Sequence, residues 1–456
     1  MKLYEAFEIV RGDVVSFIGA GGKTSTLISV GYELAEAGWR VLATTTTNIP
    51  EDQLKLFPHA VSMDVGSVAI SEALTEHKFV FLYHHIYDGV VYGLPQGTIP
   101  SLIDVVDSDV MLVEADYSAG RPLKAPKESE PLIPSETSLV VPVASLSVLG
   151  RELNEKHVYN AEAVMNRYGF VEGNRIRSPW VAQVLRDEEL GLYGVPEGMR
   201  IVAFLNQTAP VGYARARARL IARLTLRQPR IAGVAIGSAR GAEPVHEVRR
   251  PIGAIVLAAG MSSRMGQSKM LLPWSEKRTI IEHIVEQLLS SRVDHITVVT
   301  GHMGKEIKEI LAPYGVNVAY NRSYKTGEML SSLKVGLRAM PDNIAASMLV
   351  LGDQPRLQPR VVYQVMAAYA RGQGEIIAPS FEMKRGHPIL ISRRYWAELL
   401  ALPRSASPRD VINLHQERIA YIDVNTDSVL RDVDTPADYE QERWRAGLGR
   451  YGNHHQ

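Results

Sequence analysis

Two acidic residues in the second half of the chain are candidates for holding a hard divalent cation. Asp353 follows the apolar run 347–351, typical of a buried strand, through a single glycine. Asp434 precedes a Thr-Pro pair that is typical of a helix start. Magnesium takes one or two carboxylates together with substrate phosphates. Asp353 and Asp434, the latter in preference to Asp432, are therefore predicted to bind Mg²⁺ or Mn²⁺. The alternative is that Asp434 or Thr435 only caps the helix.

Small residues followed by two cations, at residues 257–269, suit a bound triphosphate. They leave the apolar segment 252–258, and small side chains let the backbone approach a base and its phosphates closely. The planar guanidinium of Arg264 suits phosphate oxygens, and the compact charge of Lys269 can offset charge on a leaving pyrophosphate. Both join Asp353 and Asp434 in the predicted catalytic set. The residues of the turn predicted to line the nucleotide are Leu257, Ala258, Ala259, Gly260 and Ser262.

A second candidate phosphate-binding segment lies in the first half of the chain. It is the glycine-rich turn Gly-Ala-Gly-Gly-Lys-Thr-Ser at residues 19–25, between a strand pattern and a helix pattern. Backbone N–H groups at the start of such a helix can surround a phosphate, with Lys23 as counter-charge and Thr24 facing a magnesium ion. The usual Walker A spacing would place its first glycine at position 17, where this chain has Phe17. The predicted phosphate-binding residues are Gly19, Gly21, Gly22, Lys23, Thr24 and Ser25.

The apolar run 110–114 ends in acids, as expected beside a magnesium-bound triphosphate. Glu114 and Asp116 are both candidates. Residues 201–208 resemble the strand end that reads guanine in GTPases, but Gln207 and Ala209 stand where Lys and Asp would be, so ATP and GTP both remain open.

Arg121 and Lys124 belong to the same half of the chain. Either could hold an anionic ligand, although solvated loop charges are the usual role of such residues.

The elements that position these residues alternate between β runs and helical patterns in both halves. A chain of 456 residues is expected to form two or three domains. Residues 239–251 are polar and rich in turn-forming residues, as an interdomain linker is. We therefore expect two three-layer α/β/α domains, at 1–247 and 248–456, with mainly parallel sheets that bind ligands at the carboxyl ends of their strands.

The composition excludes several classes of function. Lysine plus arginine and aspartate plus glutamate both count 50, so no net charge attracts the chain to nucleic acid or to an anionic membrane. The absence of cysteine excludes disulfides, iron–sulfur clusters and thiolate-bound zinc. The first residues lack the apolar core of a secretion signal, and no apolar run reaches the length of a membrane span. A cytoplasmic protein is expected.

The acids and the glycine-rich turn of the second half together resemble the molybdenum cofactor nucleotidyltransferases, a MobA-like family, over nearly all of residues 252–440. The resemblance implies a Rossmann-like, GT-A-like nucleotidyltransferase fold. Gly-Asp-Gln-Pro at 352–355 matches this family, and Leu-Ala-Ala-Gly at 257–260 goes with cytidylyl transfer, whereas guanylyl-transferring relatives have Leu-Ala-Gly-Gly. The implied substrates are CTP and the molybdenum cofactor, with release of pyrophosphate.

The same resemblance implies further site residues. It marks 321–333, including Gly327, as lining the nucleotide, and 385–388 as facing the pterin, while 403–410 departs from the glycine-rich loop expected there. From the residues alone, Ser331 and Ser332 could equally begin a helix, and His387 could be a loop residue with a local hydrogen bond. The implied nucleotide-binding residues are Ser331, Ser332 and Gly352, and the implied substrate-binding residues are Arg385, Gly386 and His387.

The first half resembles the selenium-dependent hydroxylase accessory proteins, a YqeC-like family, over about residues 10–240. The motifs are the glycine-rich turn, four threonines at 44–47, and Glu-Ala-Asp at 114–116 followed by 120–126. The resemblance implies a P-loop NTPase-like domain with a role in molybdenum hydroxylase maturation, in which a hydroxylase apoprotein could be a partner.

Two other functions fit the same residues. A cytidylyl- or uridylyltransferase for a sugar or polyol phosphate would keep the turn and both acids, and a non-enzymatic, cofactor-carrying chaperone would use nucleotide only for assembly. A shared magnesium ion requires the carboxylates of Asp353 and Asp434 to come within roughly 4 Å of each other.

Overall fold

The structure is a computed structural model that describes residues 1–261, 265–326 and 329–449. The chain divides into two compact units, Met1–Arg249 and a second that begins at Arg250. Within the described ranges, no helix is long and apolar enough to cross a membrane.

The first unit is built around one large sheet. The strands of the whole first unit are β1 (Val14–Gly19), β2 (Val41–Thr45), β3 (Ile49–Pro50), β4 (Ala60–Ser62), β5 (Phe79–Tyr83), β6 (His85–Tyr87), β7 (Val90–Tyr92), β8 (Val110–Glu114), β9 (Leu123–Lys124), β10 (Leu139–Ser145), β11 (Val158–Tyr159), β12 (Arg200–Asn206), β13 (Ile231–Gly237) and β14 (Val245–Arg249). Its helices are α1 (Leu3–Ala6), α2 (Lys23–Glu36), α3 (Gly66–His77), α4 (Ile99–Val105), α5 (Ala161–Tyr168), α6 (Ser178–Arg186) and α7 (Gly212–Thr225).

The large sheet has the order β14-β13-β12-β10-β1-β8-β2-β5-β4, and its strands are parallel except for the β13–β14 pair. Successive side chains of a strand point to opposite faces. In β1, Val14 and Ile18 accordingly join the apolar cluster that includes residues of α3 and α7, whereas Val15 and Phe17 join the cluster that includes α2. Both faces of the sheet are covered, which confirms the predicted three-layer arrangement.

The interpretation of residues 239–251 as a linker is wrong for β14, which pairs antiparallel with β13 and buries Val245 and Val248. Its central Glu247 is fully buried and forms ion pairs with Arg219 at 2.6 Å and Arg215 at 3.4 Å. Charged residues that neutralise one another inside the fold made this edge strand resemble a polar connection.

The second unit is also centred on one large sheet. The strands of the whole second unit are β15 (Ile252–Ala258), β16 (Pro273–Ser275), β17 (Arg278–Thr279), β18 (His295–Thr300), β19 (Asn317–Tyr320), β20 (Ala346–Leu351), β21 (Ile376–Phe381), β22 (Lys384–Arg385), β23 (Ile389–Ser392) and β24 (Ile419–Asp423). Its helices are α8 (Ile280–Ser290), α9 (Gly304–Leu311), α10 (Met329–Arg338), α11 (Pro359–Ala370), α12 (Trp396–Ala401), α13 (Pro408–Leu414) and α14 (Pro436–Arg445).

This sheet has the order β19-β18-β15-β20-β23-β21-β22, and β24 pairs with β21. The strands around β15 are parallel, and β23 runs antiparallel to both of its neighbours. Ala254 and Val256 of β15 join the apolar cluster that includes α8 and α11, while Ile255 joins the one that includes α10. The second unit is therefore also a three-layer α/β/α unit with helices on both faces.

Candidate functional sites

The acids predicted in the second unit meet on one lysine. Lys269 Nζ lies 2.7 Å from Asp434 Oδ1 and 3.8 Å from Asp353 Oδ2. The backbone N–H of Val433 donates to the carbonyl of Asp353 at 2.8 Å, which joins the segment before α14 to the end of β20. Both carboxylates thus reach the same ammonium group at the carboxyl end of a central strand.

The start of α14 separates the two roles considered for Asp434. Thr435 is the N-cap, because its hydroxyl accepts a hydrogen bond from the N–H of Asp438, and the Asp438 carboxylate accepts one from the N–H of Thr435. The Asp434 carboxylate instead accepts a hydrogen bond from Lys269. Capping is therefore carried out by Thr435, and the predicted helix start is confirmed.

Three carboxylates lie near one another at this edge, those of Asp353, Asp432 and Asp434. Burial raises the pKa of Asp353 to about 6, and the nearby Asp432 contributes while Lys269 opposes the shift. Asp432 Oδ1 accepts a hydrogen bond from Gln354 Nε2 at 2.8 Å. Among the described residues, no three or more His, Asp or Glu side chains form a ready metal cluster. A divalent cation here would therefore combine protein carboxylates with oxygens of the substrate, as magnesium does.

Lys269 lies against the acids in this structure. Its side chain is only 12 % exposed, compared with 34 % for Asp353 and 45 % for Asp434. Its predicted contact with a triphosphate stays a prediction. Ser262 and Arg264, predicted to contact the nucleotide, lie outside the described residues, as does Gly327.

Close packing around the turn at 257–260 explains why glycines, Gly301 and Gly352, lie next to it. A Cβ on Gly352 would lie 2.6 Å from the carbonyl oxygen of Leu257, and a Cβ on Gly301 would lie 2.8 Å from that of Ala259. The N–H of Gly352 also donates to the Leu257 carbonyl at 3.0 Å. Glycine at 352 therefore lets the acid-bearing strand end approach the predicted nucleotide turn.

The two serines implied to line the nucleotide lie in the first turn of α10. Asn321 Nδ2 donates to Ser331 Oγ at 2.9 Å and to Ser332 Oγ at 3.0 Å, and Asn321 and Ser332 are buried. These contacts fix the start of the helix to the end of β19. Their role in nucleotide binding stays a prediction.

The loop implied to face the pterin is held against a neighbouring backbone. A Cβ on Gly386 would lie 2.5 Å from the carbonyl oxygen of Val429, which accepts a hydrogen bond from the N–H of His387 at 2.9 Å. The ring Nδ1 of His387 lies 3.3 Å from the Leu349 carbonyl oxygen. Burial lowers the pKa of His387, so its imidazole is neutral at pH 7.

The surroundings of His387 include a residue that the sequence did not indicate. Arg385 and Arg409 both contribute to the lowered pKa of His387, and Asp432 opposes them. Arg409 belongs to the segment 403–410, which departs from the glycine-rich loop expected there. A cation in the first turn of α13 thus lies in the electrostatic neighbourhood of the implied substrate loop.

In the first unit, the glycine-rich turn joins β1 to α2 through three residues with positive φ, Gly19, Gly21 and Gly22. A Cβ on Gly19 would lie 2.4 Å from the carbonyl oxygen of Val143, and one on Gly22 would lie 2.3 Å from Asn206 Nδ2. Only glycine fits at these positions. A cavity of about 320 Å³ lies beside the turn. Its lining includes the predicted residues Gly21, Gly22, Lys23, Thr24, Ser25 and Glu114.

Lys23 is buried among acids, with its side chain 3 % exposed. Its ammonium donates to the Gly19 carbonyl at 2.9 Å and to Ser118 Oγ at 3.0 Å, and it pairs with Asp116 Oδ1 at 3.1 Å and Glu114 Oε1 at 3.7 Å. Burial would lower the pKa of Lys23, but Asp116 and Glu114 outweigh it and the pKa is raised. The lysine therefore stays charged.

The structure divides the two candidate acids of this unit. Glu114 lines the cavity and accepts a hydrogen bond from Thr24 Oγ1 at 2.8 Å, and burial raises the pKa of Glu114. Asp116 instead accepts the N–H of Gly19 at 2.8 Å and pairs with Lys124 at 3.2 Å. Glu114 and Thr24 thus lie together on the cavity wall, whereas Asp116 holds the turn.

Two residues of this site, Lys124 and Asn206, make buried contacts that the sequence did not predict. Lys124 is not a solvated loop charge, because its side chain is 2 % exposed and pairs with both Asp116 and Glu130. Asn206 Nδ2 donates to the Gly21 carbonyl at 2.9 Å, and its Oδ1 accepts the N–H of Ala239 at 3.0 Å. Asn206 therefore fastens the glycine-rich turn.

Comparison with known proteins assigns a family to each unit. Residues 15–162 match the model of the YqeC protein family, and residues 254–419 match the MobA-like NTP transferase domain. YqeC of Escherichia coli K12 is 31 % identical over 213 residues, which is 46 % of this chain and 82 % of that protein. The molybdenum cofactor cytidylyltransferase of the same organism is 30 % identical over 189 residues, which is 41 % of this chain and 93 % of that protein.

Among solved structures, Rv0371c from Mycobacterium tuberculosis H37Rv is 25 % identical with a TM-score of 0.38, over 42 % of this chain and 98 % of that one. The sequence relatives and the family models together give the assignment. The chain belongs to the YqeC family through its first unit and to the MobA-like NTP transferases through its second, which is a nucleotidyltransferase.

Proposed function

We propose that the second unit transfers CMP from CTP to the molybdopterin-bound molybdenum cofactor and releases pyrophosphate. The observation that carries this proposal is the meeting of Asp353 and Asp434 on Lys269, where ligands of parallel sheets bind. The sequence Leu-Ala-Ala-Gly at 257–260 and the 93 % coverage of a relative named molybdenum cofactor cytidylyltransferase support cytidine and the molybdenum pterin.

Asp353 and Asp434 are the residues that would hold Mg²⁺ or Mn²⁺. Three observations support a cation here: both carboxylates reach one ammonium group, Asp432 adds a third negative charge, and the pKa of Asp353 is raised to about 6. Lys269 is the positive charge that these acids already attract. A bound divalent cation would supply Lewis-acid activation of the triphosphate and neutralise charge on the leaving pyrophosphate.

The residues of the chain have separable roles in this reaction. A terminal phosphate oxygen of the acceptor forms a bond to the α-phosphorus of CTP, and the bond from that phosphorus to the β-phosphate bridging oxygen breaks. The acceptor oxygen is already an anion, so alignment and cations can suffice without a general base. In the reaction Lys269 would move from the acids towards phosphate oxygens, and the neutral imidazole of His387 would orient the acceptor by hydrogen bonding.

For the first unit we propose binding of a nucleoside triphosphate in the cavity beside the glycine-rich turn. The turn joins a central strand to α2, whose first N–H groups can surround a phosphate. Thr24 and Glu114 lie on the same cavity wall at hydrogen-bond distance, as expected for residues beside a nucleotide-bound magnesium ion. The likeness to YqeC supports a place for this unit in molybdenum hydroxylase maturation.

The proposal for the second unit is tested by nucleotide and acceptor preference. Pyrophosphate release by the full chain is measured with CTP or GTP in the presence of Mg²⁺ and molybdenum-loaded molybdopterin. We expect turnover with CTP to exceed that with GTP by at least about tenfold and to require the molybdopterin. Turnover that does not depend on molybdopterin but requires a sugar or polyol phosphate would contradict the proposal that molybdopterin is the acceptor. Absence of pyrophosphate release with every acceptor would favour a carrier without enzymatic activity.

A further inference from the structure

The cavity of the first unit has a second cation on its wall besides Lys23, namely Arg240. The ammonium of Lys23 is already engaged by Asp116, Glu114 and Ser118. Arg240 donates from Nε to Ser25 Oγ at 3.1 Å, and its two terminal nitrogens have no partner within 1–261, 265–326 and 329–449. Of the two cations, Arg240 is the one with donors available for a ligand.

The backbone holds Arg240 at a fixed place, although it lies in a turn beyond β13. Its neighbour Ala239 is buried, donates its N–H to Asn206 Oδ1 at 3.0 Å, and accepts a hydrogen bond from Ser29 Oγ at 2.8 Å. Asn206 is also the residue that fastens the glycine-rich turn through the Gly21 carbonyl. The same amide thus positions both the turn and the segment that carries Arg240.

We propose that Arg240 binds phosphate groups of the nucleoside triphosphate held in this cavity, a role that rests on the proposed nucleotide binding by the first unit. A guanidinium presents a planar set of donors that matches phosphate oxygens in a bidentate manner. Its tether, Ser25, lies in the first turn of α2, where backbone N–H groups favour an anion. The arginine and the helix start therefore converge on one anion.

Two neighbouring residues of α2 contact different groups on the cavity wall. The hydroxyl of Thr24 donates to Glu114 on the side suited to a cation, whereas the hydroxyl of Ser25 accepts from Arg240. The contribution of Arg240 is therefore independent of the divalent cation. Its loss should weaken nucleotide binding both with Mg²⁺ and with the cation removed by chelation.

The test uses isothermal titration of the full chain with ATP and with GTP, each with Mg²⁺ and with EDTA. The Lys23→Met variant identifies the binding that belongs to the first unit. Arg240→Ala is expected to weaken that binding about tenfold in both conditions, since it removes charge-assisted hydrogen bonds. Arg240→Lys keeps the charge but not the fork and should lose less. Arg227→Ala removes an exposed arginine of the same unit elsewhere and should match the wild type.

The outcomes separate the two proposals. If the wild type and Lys23→Met bind both nucleotides equally, nucleotide binding at the glycine-rich turn is wrong. If Lys23→Met loses binding while Arg240→Ala stays within about twofold of Arg227→Ala, the role of Arg240 alone is wrong. A loss in Arg240→Ala that disappears with EDTA would also contradict it, because the arginine would then act through the cation.

Discussion

Each unit places a lysine beside acids near the end of a central strand, but the two arrangements differ in charge and exposure. In the first unit, Lys23 and Lys124 share Asp116, whose side chain is 3 % exposed and which also accepts the N–H of Gly19. Glu130 pairs with Lys124. The acids of this buried network are thus paired with two lysines and with one backbone N–H group.

In the second unit, one lysine of the described residues faces three acids. Lys269 contacts Asp353 and Asp434, and Asp432 lies close enough to raise the pKa of Asp353 further. The two contacting acids are also exposed to a third or more of their surface. The difference shows that similar sequence patterns, a glycine-rich turn with a lysine and strand-end acids, occur with a buried, charge-paired turn in the first unit and with partly exposed acids in the second.

The largest effect that should distinguish the two sites is that of Lys23→Met. Removal of the ammonium leaves Asp116 and Glu114 without their shared partner and removes the counter-charge at the turn. We expect nucleotide binding by the first unit to weaken by at least about a hundredfold. Pyrophosphate release by the second unit should stay within about twofold of the wild type, because its acids and Lys269 are unchanged. Titration and turnover assays on the same preparation measure both.

Lys127→Met is the matched control, since Lys127 is exposed and lies over the ring of Tyr159. It should change neither property. Equal binding by the two methionine variants would contradict the assignment of Lys23, and a parallel loss of pyrophosphate release would contradict the independence of the two sites.

A smaller effect should show that the acids of the second unit reduce the stability of the protein. The pKa of Asp353 is raised from 3.8 to about 6, so between these values the folded state binds more protons than the unfolded state. The free energy of unfolding contributed by this group therefore falls as pH rises through that window. Without divalent cation, Asp353→Asn should raise Tm by a few degrees at about pH 7.5, and the difference should close towards about pH 4.

Calorimetry or a fluorescence melt would measure this effect, with Asp423→Asn as control for an exposed acid of the same unit. Addition of Mg²⁺ should stabilise the wild type and not Asp353→Asn. A Tm difference that is the same at both pH values would contradict repulsion and burial at Asp353 as its cause.

Much of the architecture could be predicted because local patterns agree with it. Alternating apolar runs and helical periodicity indicated two three-layer units, and residues 435–436 indicated the start of α14. The position of Asp353 followed from an apolar run that ends in glycine. Such features depend on neighbours in sequence, and periodicity reports them directly.

The contacts that could not be predicted join distant segments. Lys124 lies in a loop-like sequence, yet its buried ion pairs depend on Asp116 and Glu130. Glu247 made β14 look polar, because the arginines that neutralise it come from α7 and from the strand itself. Arg240 follows a turn whose fixed position depends on Asn206. Burial of a charged residue is decided by tertiary partners, which a single sequence does not reveal.

We propose that Asp353 and Asp434 act together in cytidylyl transfer, and the rate of pyrophosphate release tests this pairing most directly. With the full chain, Mg²⁺, CTP and molybdenum-loaded molybdopterin, Asp353→Asn and Asp434→Asn should each lower kcat/KM about a hundredfold, because each removes a negative ligand for the cation. Asp423→Asn should remain within about twofold of the wild type. A wild-type rate in either of the first two variants would contradict the pairing of these acids in the reaction.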